Sequence, residues 1–157
     1  MKGLIAAIVC VVILLIFVNG QNVRPGNHRR ALRRVIRAFN GLCGNTTGLD
    51  LNSCIDLLES QDKTNWDGCL DTENFTDNNA LLTAICQSRR NFRKMRNCLL
   101  AAAIRSWRNE WNEIRTTTRV LRGAQRRILR RQLRNEILSS RVGAANNATA
   151  CLTTLAG

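Results

Sequence analysis

The sequence is poor in two residue types that usually punctuate or arm a protein. Pro25 is its one proline and His28 its one histidine in 157 residues. Pro25 lies ahead of the first regular element, so nothing downstream interrupts helices from within. Strand-type alternation is also missing apart from isolated pairs, and the expected fold class is all-α. A lone histidine, with no H-E-x-x-H and no C-x-x-C pair, excludes the common zinc sites. The acidic stretch D-T-E-N-F has Phe75 at its fifth position and no closing glutamate, so it does not form a calcium loop. There is no G-x-S-x-G, and the acids scatter over polar faces without a specific pair for glycoside hydrolysis. The expectation is a protein that is not an enzyme, with no cofactor, no metal and no small-molecule substrate implied.

What is present begins with an apolar run. Leu4 to Val18 are 15 uninterrupted apolar residues behind Lys2, with small Val18 and Gly20 before polar Gln21. That is the layout of a secretory signal peptide cleaved after residue 20. It is short for a bilayer span, which needs about 17–25 residues, and no second run follows. Residues 21–157 then form a single domain by length.

Removing the signal takes Cys10 with it and leaves Cys43, Cys54, Cys69, Cys86, Cys98 and Cys151. An even set in an oxidising compartment reads as three disulfides. The chain looks like other small secreted helical proteins held by three bridges. Its gaps of 10, 14, 16, 11 and 52 residues match neither the paired C-x-x-C ends of saposins nor the three-residue gap of insect odorant-binding proteins. Sequons at Asn45, Asn74 and Asn147 make these positions candidate glycan carriers.

Charge is blocked along the chain, whose formal net charge is +13. Arg24 to Arg37 holds six arginines and no acid; Cys43 to Cys86 holds eight acids against Lys63. Gln87 to Arg141 holds 16 bases against Glu110, Glu113 and Glu136. Nearly all the bases are arginine, whose planar fork grips carboxylate, sulfate and phosphate in pairs.

Periodicity predicts a disulfide-stapled bundle of about four helices. Residues 28–42 form a basic amphipathic helix: Ala31, Leu32, Val35, Ile36, Phe39 and Leu42 share one face, and Arg29, Arg30, Arg33, Arg34 and Arg37 the other. Residues 43–77 read as a short acidic helix and a loop rich in Asp, Asn and Thr. Residues 78–142 read as a long Arg-rich helical region, broken near "RTTTRVLRG", with Trp107 and Trp111 as core anchors; residues 143–157 read as a tail. In "RRILRRQLR", Leu121, Ala124 and Ile128 make one row and Leu129, Leu133 and Ile137 another, which suits a helix wedged between two neighbours. Arg126, Arg127, Arg130, Arg131 and Arg134 then emerge from its grooves. His28 has no acid partner nearby in sequence. A hairpin around the 61–77 loop predicts the pairing Cys43–Cys98, Cys54–Cys86 and Cys69–Cys151.

The function that fits best is a secreted cationic glycoprotein that binds an anionic polymer or membrane surface, with the two arginine clusters as the binding face. That class includes host-defence proteins. Two alternatives stay open: a ligand for a protein receptor, including a hormone-like precursor cut at its dibasic pairs, and a component of extracellular matrix or coat.

Overall fold

The computed structural model describes residues 24–44 and 48–157, so residues 1–20, expected to be a signal segment, and the Asn45 sequon lie outside the described residues. The described chain is all-α, with three disulfides. It has six α-helices rather than about four: α1 (Pro25–Gly41), α2 (Leu51–Ile55), α3 (Ser60–Thr72), α4 (Asn78–Gln87), α5 (Arg89–Thr117) and α6 (Gly123–Leu155). None of them is long and apolar enough to cross a membrane.

Local chemistry explains most boundaries. Pro25 starts α1, where a missing N–H costs nothing. Asp50, Glu59, Asp77 and Ser88 cap α2, α3, α4 and α5, each side chain accepting a free first-turn N–H. The Ser88 cap splits the long helical region where periodicity showed no break. The second break comes at the threonine run, as expected: Thr118–Val120 tightens into a 3-10 turn, and Gly123 enters α6 at φ +56°, which favours glycine.

Two segments read as irregular are helical. Residues 60–72 lie in α3 because Glu59 caps it and Trp66, Cys69 and Leu70 bury one side, outweighing the weak helix propensity of Asp, Asn and Thr. The supposed tail is the second half of α6. Its alanines are strong helix formers, and Ala145 and Ala148 are fully buried, letting α1 pack closely along it. The α1–α6 contact is the most extensive in the molecule.

The core is the apolar face of α1, with Ala31, Leu32, Val35, Ile36, Phe39 and Leu42 all buried as expected. Phe39 meets the buried indole of Trp66 in a tilted pair, 5.5 Å between centroids with the ring planes at 58°. Trp66 donates to Asn78 Oδ1 at 2.8 Å and Asn78 donates to Asn52 Oδ1 at 2.8 Å, so the buried polar atoms link α2, α3 and α4. Trp107 and Trp111 are not core anchors. They are half-buried and stacked on each other, Trp107 beside the start of α1 and Trp111 beside α6.

All six expected cysteines are bridged, but in a different order: Cys43–Cys86, Cys54–Cys151 and Cys69–Cys98. The reason is α3. With 60–72 helical rather than looped, Cys69 lies on a helix packed against α5 and faces Cys98. Cys43, past the end of α1, meets Cys86 at the end of α4. The returning α6 passes α2 and brings Cys151 to Cys54.

Candidate functional site

The two arginine clusters exist but differ in kind. Arg29, Arg30, Arg33, Arg34 and Arg37 are all exposed on the outer face of α1. Arg34 donates to Asn146 Oδ1 at 2.8 Å, which sets α1 beside the second half of α6. The 126–134 cluster lies some sixteen residues earlier on α6, about 24 Å along its axis. They are two patches, not one face.

Within the second cluster, Arg126 and Arg130 have structural work. Arg126 donates from Nε to Leu121 O at 2.6 Å and from Nη2 to Arg119 O at 3.2 Å. Arg130 donates from Nε to Thr118 Oγ1 at 2.7 Å and from Nη2 to Arg115 O at 3.1 Å. Arg130 thus satisfies a carbonyl that α5 leaves free in its last turn, at the negative end of its dipole, while Arg126 ties down the connecting turn beyond it. Arg127 and Arg131 remain exposed, and Arg134 is half-buried.

This part of α6 is not wedged between two neighbours. Leu129, Leu133 and Ile137 are half-buried, while Ala124 is exposed and Ile128 is 56 % exposed. Along its first half α6 faces α5 and the Thr118–Val120 turn, with Glu59 reaching the cleft beside Leu133 and Ile137. Where the two helices run together, Trp111, Arg127, Arg130, Arg131 and Arg134 line a pocket of about 290 Å³. The Nε of Arg134 is buried without an acceptor, and Arg115 lies over the Trp111 ring at 5.4 Å.

The third assembly was not legible as a site. His28, the histidine without an apparent partner, is buried and its Nε2 lies 2.6 Å from Asp62 Oδ2. Arg141, 1 % exposed, is paired with Glu110, lies 3.5 Å from Glu59 and 3.8 Å from Asp62, and donates to Ser106 Oγ at 3.4 Å. Helices α1, α3, α5 and α6 each send one charged or titratable side chain into this centre. Among the described residues, Arg141 is the one arginine within ion-pair distance of a carboxylate, so the acidic block neutralises almost none of the surface arginines.

Burial pushes the Glu110 carboxyl above the usual carboxylate range; Arg141 pulls it down, and Glu59 and Asp62 push it up again. Native protein therefore holds this proton to higher pH than the unfolded chain does. As pH falls from neutral through the raised native value towards the ordinary one, Glu110 adds stability. The melting temperature of wild type minus that of Glu110→Gln should rise between pH 7 and pH 5. A constant difference would show that Glu110 titrates as an ordinary surface acid.

Asn74 is exposed, in a turn with φ +60°, and Asn147 is exposed in the second half of α6, so both sequons present their acceptor to solvent. Among the described residues no group of acidic, cysteine or histidine side chains is arranged to hold a metal ion. No protein-family model, curated protein or solved structure matches the chain.

Proposed function

We propose that this is a secreted cationic glycoprotein that binds anionic polymers or surfaces outside the cell. The observation that carries the reading is the arginine surface itself. The exposed guanidiniums of α1 and of the first half of α6 have no carboxylate within reach among the described residues, and an unpaired fork of donors is matched by an external oxyanion. Three disulfides support an oxidising compartment, as does the apolar segment that opens the sequence.

The refolded, oxidised protein should be retained on heparin and elute above about 0.15 M salt, where a Debye length is about 8 Å. Elution below that point would remove the proposal. Arg30→Ser, Arg33→Ser and Arg37→Ser together should lower the eluting salt, with melting nearly unchanged because all three side chains are exposed.

Surface binding should not become lysis. The apolar face of α1 is wholly occupied by the core, and a helix with no free apolar face has nothing to insert. Anionic vesicles should bind the protein yet keep an entrapped dye while the bridges are intact. Leakage equal to that of a lytic peptide would instead assign a membrane-disrupting role.

A further inference from the structure

The α5–α6 pocket differs from the α1 face in being concave, partly preorganised and made of donors. Arginine and tryptophan side chains donate hydrogen bonds and accept none, so the five side chains that line it offer an incoming group only N–H. Arg130 is already held by its bonds to Thr118 and Arg115, which lowers the ordering cost of binding. Arg134 lines the pocket half-buried and without a carboxylate partner, and a partly desolvated, unpaired guanidinium favours an incoming oxyanion. Resting on the function proposed above, we infer that this pocket is the specific subsite of the protein and that its ligand is a sulfated glycan.

Shape and stacking choose among polyanions. A lipid surface is flat and a duplex is convex, so neither lowers its anionic groups into a pocket of about 290 Å³ between two helices. Single-stranded nucleic acid could enter, but it is held by bases stacked on open aromatic faces. Trp111 offers none: Trp107, one turn before it, stacks at 6.2 Å, and Arg115, one turn after it, lies over the ring at 5.4 Å. A flexible chain carrying peripheral sulfates meets both conditions. Sulfate stays fully charged at physiological pH, and its several acceptor oxygens suit a ring of forks.

The experiment uses the full oxidised chain and a size-defined sulfated heparin hexasaccharide. Arg127→Ser/Arg131→Ser, both at exposed positions, should raise Kd at least about tenfold, the loss already expected from one net hydrogen bond to a charged group. Arg30→Ser/Arg33→Ser removes the same charge from α1 and should raise it less than about threefold. Equal losses would overturn the pocket while leaving general polyanion binding in place; no binding by wild type would remove both. Tryptophan emission should change on adding the hexasaccharide to wild type and not to Trp111→Phe, and an unchanged response in that variant also overturns the assignment. Single-stranded DNA and phosphatidylserine vesicles are the remaining arms. If either loses as much affinity as the hexasaccharide through Arg127→Ser/Arg131→Ser, the pocket reads phosphate and not sulfated glycan.

Discussion

Replacing Arg141 with methionine should cost about 3–5 kcal/mol of unfolding free energy, the range for removing one partner of a buried charge network. Arg141 is 1 % exposed and its guanidinium faces Glu110, Glu59 and Asp62. Methionine keeps much of the apolar stem but leaves fully buried Asp62 facing two partly buried carboxylates with no cation between them. The loss is therefore stranded negative charge more than lost packing. That interpretation has its own check, because Asp62 is also fully buried. Asp62→Asn removes one stranded charge while keeping an oxygen that can still meet His28. The double variant Arg141→Met/Asp62→Asn should lose clearly less than the sum of the singles, with coupling above about 1 kcal/mol. Urea denaturation with the bridges intact measures all three. A loss below about 1 kcal/mol for Arg141→Met would mean that water reaches the network and that it does not organise the bundle.

The same residue shows why this centre was hidden in the sequence. In α6 the buried positions are Leu138, Arg141, Ala145, Ala148 and Leu152, three and four residues apart throughout. Arg141 occupies a core phase, as does Asp62 ahead of Trp66 and Cys69, and as does His28 ahead of Ala31 and Leu32. A polar residue in phase with an apolar stripe is the signal that could have found them. It was masked in α6 because two of the stripe's five members are alanine, which gives little hydrophobic contrast. The first helix was legible for the opposite reason. Its arginines and its large apolar residues separate cleanly at the helical period, and every side chain assigned to its core is buried.

The site was half legible on similar grounds. Charge spacing located Arg127, Arg131 and Arg134, but periodicity along one helix does not say which helix faces it, so Trp111 was assigned to the core. Nor does it reveal that Arg126 and Arg130 are held by the α5 terminus and the turn that follows it, since that depends on the chain folding back at Thr118–Val120. Disulfide order depends even more on tertiary arrangement. Treating 60–72 as a loop brought the acidic helix directly against the long one and misplaced all three partners.

Cys54→Ala/Cys151→Ala should be the most damaging of the three bridge deletions. Its half-cystines are 97 residues apart, against 43 for Cys43–Cys86 and 29 for Cys69–Cys98. Closing a loop of that length in the unfolded chain corresponds to about 4.7 kcal/mol in the chain-entropy model, compared with about 4 and about 3.6 for the shorter two. Location adds to length. Cys54 is fully buried in the core cluster and Cys151 packs against it, so the deletion also leaves a space where two sulfurs stood. The other bridge with an end in that cluster, Cys69–Cys98, joins helices that already pack on each other over several turns. Cys43–Cys86 has both ends exposed, so deleting it opens no cavity. The deletion at 54 and 151 frees the last turn of α6 from α2, and with it the end of the surface on which α1 packs. Urea midpoints of the three double-alanine variants should therefore fall in the order Cys43–Cys86 highest and Cys54–Cys151 lowest, with steeper slopes where a longer loop has been opened. If Cys54→Ala/Cys151→Ala matches or exceeds the Cys43→Ala/Cys86→Ala midpoint, the α2–α6 staple is incidental and the α1–α6 interface holds the C-terminal half of α6 unaided.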